Sequence, residues 1–172
     1  MHKPTLFLML GFPGAGKTTV SKLIEEQTGA VHLWADHERR QRFGQPTHSH
    51  EENIKLYDEL NNITDSLLAA GKSVIFDTNF NFYKDREHLR EIAVKHGAQT
   101  ILIWVRTPKE LARERATKDA HLQHTRVLGN MQMEHFERIS GNLEPPREGE
   151  HVVEFDGTHV TPAMVADVLA QL

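Results

Sequence analysis

Five short apolar runs recur along the chain, and segments of mixed apolar and polar residues separate them. The runs cover residues 5–10, 30–34, 73–77, 100–105 and 152–156. Continuous apolar runs of this length are typical of strands that are buried on both faces. Between the runs, apolar residues recur at helical spacing, as in Ile54, Tyr57, Ile63, Leu67 and Leu68. The alternation predicts an α/β fold, a three-layer sandwich in which helices cover both faces of a five-stranded parallel sheet.

Capping residues and prolines predict where several helices begin and end. Pro108 is expected at the first position of the helix after the fourth strand, and Thr161 is expected to cap a final helix that starts at Pro162. Glycines close the helices that precede residues 71 and 97. Residues 44–50 are predicted to form a loop and residues 131–140 a short helix. The last apolar run is short and mixed, which favours a position at or near the edge of the sheet.

Residues 11–18 read Gly-Phe-Pro-Gly-Ala-Gly-Lys-Thr and fit the phosphate-binding pattern Gly-x-x-x-x-Gly-Lys-Ser/Thr. The flanks have the required order, because a buried strand precedes the loop and helical spacing follows it. Glycines allow backbone N–H groups to approach phosphate oxygens at the N terminus of a helix. Lys17 can then reach the β and γ phosphates of ATP, and the Thr18 hydroxyl can bind Mg²⁺. The residues predicted to bind the nucleotide are Gly11, Pro13, Gly14, Ala15, Gly16, Lys17, Thr18 and Thr19.

Two acidic residues are expected at the same sheet edge as this loop. Asp36 follows the second predicted strand, and Asp77 ends the third. Ligands of open parallel sheets bind at the carboxyl ends of the strands. An acid at the end of an apolar strand has the Walker B form, so Asp77 is predicted to hold Mg²⁺ together with Thr18. The alternative for each acid is a structural role as a helix cap.

A polar, basic stretch after the fourth strand is predicted to form a helical lid, roughly over residues 113–140. Its Arg115, Lys118 and Arg126 lie in sequence that is too polar to form a core. Cations on such a lid can neutralise the charge of a transferring phosphoryl group. The alternative is a solvated helix face with no role in binding.

Together these stretches resemble the small P-loop kinases grouped with the 5′-kinase domain of phage-type polynucleotide kinases and, more distantly, the zeta-toxin-like kinases. Residues 11–18 match the family loop Gly-x-Pro-Gly-x-Gly-Lys-Ser/Thr, and Asp36-x-x-Arg39 matches its Asp-x-x-Arg after the second strand. Residues 74–81 resemble the apolar strand that leads into Asp-Thr-Asn-x-Asn, with Arg86 in the following helix. The resemblance covers nearly the whole chain.

The resemblance implies roles for three groups of residues. Asp36 would be the general base that accepts the proton of a substrate hydroxyl, and Arg39 would bind a negatively charged group of the acceptor. The helix over residues 108–118 resembles the one that leads into an arginine-bearing lid. That family often has two arginines four residues apart, whereas here Asp119 follows Arg115 at this spacing. The lid cation that contacts the γ-phosphate is therefore left open among Arg115, Lys118 and Arg126.

Composition restricts the class of acceptor and the cellular location that we expect. The 172 residues carry a formal net charge of −4 and no block rich in lysine or arginine, which counts against a long nucleic acid as substrate. The chain has no cysteine and no apolar stretch of about 18 residues. We expect one cytoplasmic domain over residues 1–172, with no membrane contact and no obligate protein partner.

The 12 histidines raise the question of a metal site. The closest pairs, His48-x-His50 and His121-x-x-His124, lie in polar sequence and lack the helical spacing of a hydrolytic zinc site. Most of these histidines are expected to be exposed side chains, and a metal site built on them is not expected.

These observations predict an ATP-dependent kinase that uses Mg²⁺ and phosphorylates a hydroxyl of a small molecule or nucleotide, with a short nucleic-acid 5′ end also possible. A zeta-toxin-like kinase of sugar nucleotides is an alternative of the same class. A regulatory P-loop ATPase without a hydroxyl acceptor is an alternative of another class. A GTPase is disfavoured because the chain lacks an Asn-Lys-x-Asp motif.

Overall fold

The computed structural model describes residues 2–123 and 125–172, and it confirms the predicted α/β fold. The strands are β1 (Thr5–Leu10), β2 (Val31–Trp34), β3 (Val74–Asp77), β4 (Gln99–Arg106) and β5 (Val152–Asp156). The helices are α1 (Lys17–Thr28), α2 (Ala35–Phe43), α3 (His50–Ala69), α4 (Tyr83–Lys95), α5 (Lys109–Thr117), α6 (Met133–Gly141) and α7 (Pro162–Leu169). A single 3-10 turn, Ala120–Leu122, lies between α5 and α6. His124, and with it the pair it forms with His121, lies outside the described residues.

All neighbouring strands are parallel, in the order β2-β3-β1-β4-β5. The register places Leu8 of β1 between Phe76 of β3 and Leu102 of β4. β1 is therefore central, which brings the glycine loop that follows it to the middle of the carboxyl edge of the sheet. The fifth strand lies at an edge of the sheet, as predicted.

The alternating side chains of the central strands build one hydrophobic core on each face of the sheet. On one face Leu8 and Phe76 pack with Leu60 of α3 and Leu89 of α4. On the other face the core includes Val20 and Ile24 of α1 and Val165 of α7. Strands with two buried faces produce the uninterrupted apolar runs seen in the sequence, and the helices on both sides complete a three-layer sandwich.

A third, smaller cluster forms between α5 and α6, away from the sheet. Ala112, Ala116 and Phe136 are fully buried there, and Phe12 of the glycine loop packs against them. The segment predicted to be a lid thus has its own apolar contacts and rests directly on the glycine loop.

The capping positions agree with the prediction at one helix and differ at two, and the short helix predicted over residues 131–140 is α6, Met133–Gly141. The Thr161 hydroxyl accepts a hydrogen bond from the backbone N–H of Met164 at 3.2 Å, as expected of a cap before Pro162. Pro108 is the N-cap of α5 and not its first residue, because its ψ of 134° is extended. The cap alternative for Asp36 is wrong, since Trp34 is the N-cap residue of α2 and no side chain caps that helix.

Arg86 of α4 links two loops beneath the sheet edge. Its guanidinium is fully buried and forms a two-pronged ion pair with Glu150, with N–O distances of 2.8 and 3.0 Å. It also donates to the carbonyl oxygens of Phe80, at 2.8 Å, and Glu144, at 3.2 Å. Arg86, which the sequence resemblance singled out, therefore holds the loop after β3 and the loop before β5 in place.

Candidate active site

The glycine loop joins the end of β1 to the N terminus of α1. Its carbonyl oxygens are bonded within the protein: that of Phe12 accepts from the Ala15 N–H at 3.0 Å, and that of Ala15 accepts from the Thr107 hydroxyl at 2.7 Å. Donors at a helix start that have no intrahelical partner are suited to bind an anion. The loop N–H groups that donate to no other backbone group in the described chain include those of Gly14, Gly16, Lys17 and Thr18.

The ammonium group of Lys17 lies across this loop. It donates to the carbonyl oxygens of Gly11 and Phe12, both at 2.8 Å. Desolvation lowers the pKa of Lys17 to about 8, against the effect of the Asp77 carboxylate, and the Arg126 guanidinium lowers it further. A cation held in this way loses little flexibility when it turns from the carbonyls to a phosphate.

Two glycines of the loop are required by close packing. A Cβ on Gly11 would lie 2.6 Å from the carbonyl oxygen of Val105 on β4. A Cβ on Gly14 would overlap the carbonyl oxygen of Ala112 on α5. Contacts this close exclude any side chain, so these glycines also fix the position of α5 above the loop.

Asp77 lies buried at the end of β3, and within the described residues only one of its carboxylate oxygens has a hydrogen-bond partner. Its Oδ2 is 2.8 Å from His32 Nε2, while the other ring nitrogen of His32 is 3.3 Å from Glu25. The cap alternative for Asp77 is therefore not supported. The Asp77 carboxylate and the Thr18 hydroxyl line the same cavity. Oxygen donors of this kind fit Mg²⁺, which binds proteins through one or two carboxylates together with the phosphates of its nucleotide.

Asp36 is the second residue of α2 and lies in the cavity near the groups just described. Desolvation raises the pKa of its carboxyl group, and the Asp77 carboxylate raises it further. The positive charges of Arg126, Arg39 and Lys17 act in the opposite direction. The pKa of Asp36 thus responds to four of the charged residues that the sequence predicts at the site: Lys17, Arg39, Asp77 and Arg126.

The three lid cations left open by the sequence have different positions in the structure. Arg115 borders the cavity, but its guanidinium donates to the carbonyl oxygens of Gly157, at 3.0 Å, and Gly14, at 3.5 Å, and is thus held against the loop backbone. Lys118 is exposed and does not line the cavity. Arg126 lies in the cavity, and its buried Nε has no hydrogen-bond partner within the described residues.

Arg39 is buried, and its guanidinium is already occupied. It forms an ion pair with Glu52 at the start of α3 and donates to the side-chain oxygen of Asn53 at 2.8 Å. The Glu52 carboxylate also accepts from the backbone N–H groups of Thr47, at 2.8 Å, and His48, at 3.2 Å. In this structure Arg39 therefore fixes the loop between α2 and α3.

These residues line one cavity of about 1110 Å³ at the carboxyl edge of the sheet. Single-ligand pockets usually measure about 300–1,000 Å³, so there is room for a nucleotide and a second molecule. Apart from the lid candidate Lys118, all the predicted site residues line it except Gly11 and Ala15, which are buried within the loop. Lining residues that the sequence analysis did not assign to the site include Tyr57, Thr78, His135 and Arg138.

For His135 and Arg138, the sequence contains a signal that could have predicted their position in the cavity. His135 and Arg138 follow Met131 at helical spacing, and Asn142 continues the same face toward the cavity. A polar face on a short helix beside a binding site is weak evidence by itself. Among the described residues, no group of three or more histidine, aspartate or glutamate side chains could hold a metal ion.

The sheet, the central glycine loop and the acids at the ends of β2 and β3 define a P-loop α/β protein. The model of the AAA domain family AAA_33 matches residues 6–146, and the chain belongs to this family. No curated protein matches the chain by sequence. In the described part of the chain no helix combines the length and apolarity that crossing a membrane requires.

Solved structures with this fold include several kinases. A gluconokinase from Sinorhizobium meliloti 1021 aligns with a TM-score of 0.66 at 20% identity, over 99% of this chain and 92% of its own. The Mycobacterium tuberculosis APS kinase CysC, solved with AMPPNP and APS, aligns with a TM-score of 0.69 at 15% identity, over 99% of this chain and 98% of its own. A chain of the Pnkp1/Rnl/Hen1 RNA repair complex aligns with a TM-score of 0.68 at 20% identity, over 83% of this chain and 45% of its own. At these identities the similarity establishes the fold.

Proposed function

We propose that this protein is an ATP-dependent kinase that transfers the γ-phosphate to a hydroxyl group of a small molecule or nucleotide. The observation that carries the proposal is the convergence of Lys17, Asp36, Asp77 and Arg126 in one cavity, where the pKa of Asp36 responds to the other three. The membership in AAA_33 and the kinases among the structural neighbours support this reaction class.

In the proposed reaction the glycine loop and Lys17 bind the β and γ phosphates of ATP. Thr18 and Asp77 would hold Mg²⁺, which would neutralise negative charge on the β and γ phosphates. Asp36 accepts the proton of the acceptor hydroxyl as the hydroxyl oxygen forms a bond to the γ-phosphorus. The bond from the γ-phosphorus to the bridging oxygen breaks, and ADP leaves with the electron pair.

The charge that develops on the transferring group needs a cation placed in advance. Arg126 is the lid cation that we assign to this role, because it lies in the cavity and its buried Nε has no partner among the residues that the structure describes. We assign Arg115 to holding the loop and the segment after β5, through its bonds to the Gly14 and Gly157 carbonyls.

The balance of charge favours a small acceptor over a nucleic-acid end. The chain carries a net charge of −4, whereas a groove that follows a nucleic-acid backbone is strongly basic. A short nucleic-acid 5′ end is a second candidate acceptor, because one structural neighbour is a chain of an RNA repair complex. The acceptor test therefore includes 5′-hydroxyl oligonucleotides.

The test is transfer of labelled γ-phosphate from ATP, with Mg²⁺, to separate pools of candidate acceptors. The pools contain sugar acids, nucleosides, 3′-phosphorylated nucleotides, sugar nucleotides and 5′-hydroxyl oligonucleotides. We expect a labelled small molecule, with ATP consumption that depends on the acceptor. Rapid ATP hydrolysis with no labelled product in any pool would contradict the proposal and support a regulatory ATPase.

A further inference from the structure

A cluster of two histidines and one arginine lies in the cavity apart from the glycine loop. It consists of His48, from the loop between α2 and α3, together with His135 and Arg138 of α6. The rings of His48 and His135 meet edge to face with their centroids 5.1 Å apart. We call these three residues the acceptor cluster.

No carboxylate pairs with this cluster in the described part of the chain. Arg138 forms no ion pair there, and neither does either histidine. Glu52 is a neighbouring carboxylate, but its two oxygens accept from Arg39, from the Thr47 N–H and hydroxyl, and from the His48 N–H. These bonds keep Glu52 strongly ionised, with a pKa of about 2. Its charge is therefore committed to Arg39 and to the loop backbone.

The backbone of His48 is held in an unusual conformation. Its φ of 55° is the only positive value for a non-glycine residue in the described chain. Such conformations cost energy and persist where the surrounding structure imposes them, often at ligand sites. Here Glu52 imposes it through the hydrogen bond from the His48 N–H. The imidazole is thereby held toward His135, inside the cavity.

We propose that the acceptor cluster binds an anionic group of the phosphate acceptor, a carboxylate or a phosphate monoester. This inference rests on the proposed function, because the acceptor hydroxyl must lie at Asp36 while its anionic group lies at His48, His135 and Arg138. Asp36 is close enough to His48 to affect its charge. An acceptor that reaches both is a small anionic molecule, and the site needs no further basic groove to bind it.

The charges around the cluster define how its binding depends on pH. Desolvation lowers the pKa of His48; Arg39 and Arg138 lower it further, while Asp36 and Glu52 raise it. Desolvation also lowers the pKa of His135, with contributions from His48, Arg138 and Arg39. Without a ligand, the histidines are therefore held toward their neutral forms at neutral pH. A bound anion stabilises the charged imidazolium, so its affinity must fall as the pH rises through their titration range.

The direct test uses inorganic phosphate and acetate as probes, and it needs no turnover. The protein is saturated with Mg²⁺ and ADP to occupy the glycine loop, and the histidine ring signals are followed by NMR over a pH series. The signals are assigned with His48→Asn and His135→Asn. Asparagine tolerates the left-handed backbone at position 48, so that variant retains the loop conformation.

We expect phosphate or acetate to move the titration midpoints of both histidines upward by about one pH unit, a tenfold preference for the charged form. Arg138→Gln should remove most of this shift. Arg147→Gln, which alters an exposed arginine outside the cavity, should leave it intact. Comparing the two probes shows whether the site takes phosphate, carboxylate or both.

Two outcomes would overturn the proposal. In the first, the titration midpoints of His48 and His135 stay unchanged at saturating probe. In the second, they move no more than the midpoint of the exposed His151, and Arg138→Gln does not alter the shift, which would indicate an adventitious ion only. Failure of the proposed function appears separately, as an absence of labelled product in the transfer assay. Once an acceptor is known, Arg138→Gln should raise its KM about 10–100-fold and leave the KM for ATP unchanged, as expected for a lost charge-assisted hydrogen bond.

Discussion

The two ends of the cavity are built in different ways. The phosphate end is made from one contiguous stretch, residues 11–18, in which backbone N–H groups and Lys17 supply the positive charge. The acceptor cluster draws its side chains from a loop near residue 48 and from a helix about ninety residues later. The phosphate end thus depends on backbone geometry that few substitutions leave intact, whereas the acceptor cluster depends on side chains that can be exchanged without disturbing the sheet.

Asp36 lies between the two ends, and its replacement should have the largest effect on activity. Asp36→Asn keeps the size of the side chain but cannot accept the proton of the acceptor hydroxyl. We expect phosphoryl transfer to fall about 10²–10⁴-fold. Affinity for an ATP analogue, measured by equilibrium binding, should change little because the glycine loop is untouched. A normal transfer rate in this variant would refute the assignment of Asp36 as the base.

The lid cations offer the next largest effect and a matched pair of substitutions. Arg126→Gln removes a guanidinium from within the cavity and should lower kcat about 10²–10³-fold, the usual loss for one donor to a developing charge. Lys118→Gln removes an exposed charge outside the cavity and should leave kcat nearly unchanged. Steady-state rates at saturating ATP and acceptor compare the two. Equal losses would show that the lid acts through its overall charge and that Arg126 has no special position.

The same contrast explains how much the sequence could predict. The bounds of β1 and β5 were predicted to the residue, and the loop at residues 11–18 joins a strand and helix as expected, because apolar runs and local motifs are contiguous signals. The edge positions of Asp36 and Asp77 followed from the ends of their strands. The first residue of a helix is harder to predict, as Pro108 shows. Its extended ψ depends on tertiary contacts that the local sequence does not contain.

Partners that are distant in sequence could not be predicted. The sequence resemblance implied that Arg39 binds the acceptor, yet its guanidinium pairs with Glu52 and Asn53. Nothing in a local pattern indicates that Arg115 contacts the Gly157 carbonyl or that Arg86 pairs with Glu150. These contacts depend on how α5, α6 and the loop before β5 fold back over the sheet edge.

His32 should have an intermediate effect confined to the phosphate end. Its Nε2 lies 2.8 Å from Asp77, and stacking on Trp34 with an interplanar angle of 7° fixes the ring. Partners of metal-binding carboxylates usually contribute 10–100-fold to metal affinity or activity. We expect His32→Leu to weaken binding of ADP with Mg²⁺ by about this factor in calorimetry, and His32→Gln to restore part of it.

The neighbouring His37 provides the control for that measurement. It stacks on the same tryptophan, with centroids 5.6 Å apart, but within the described residues it makes no hydrogen bond to Asp77. His37→Asn should therefore bind ADP with Mg²⁺ as the unaltered protein does. If both histidine variants weakened binding equally, the effect would come from the aromatic stack and not from the hydrogen bond to Asp77.

The smallest expected effect is a pH dependence that separates the two ends kinetically. In the free protein the pKa of Lys17 is about 8, so the lysine loses its charge as the pH rises above this value. Values of kcat/KM for ATP report groups of the free enzyme and should fall above about pH 8. With ATP bound, the phosphates stabilise the ammonium group and raise its pKa. The alkaline fall should therefore move to higher pH in kcat/KM for the acceptor at saturating ATP.

Arg126→Gln gives this pH profile an internal check. The Arg126 guanidinium lowers the pKa of Lys17, so its removal should shift the alkaline fall in kcat/KM for ATP to higher pH even though the absolute rate is lower. Arg138→Gln, at the other end of the cavity, should leave the position of that fall unchanged, because Arg138 does not affect the pKa of Lys17. A fall that stays at the same pH in Arg126→Gln would mean that the titrating group is not Lys17. The two ends of the cavity can thus be distinguished, because Arg126→Gln moves the alkaline fall and Arg138→Gln does not.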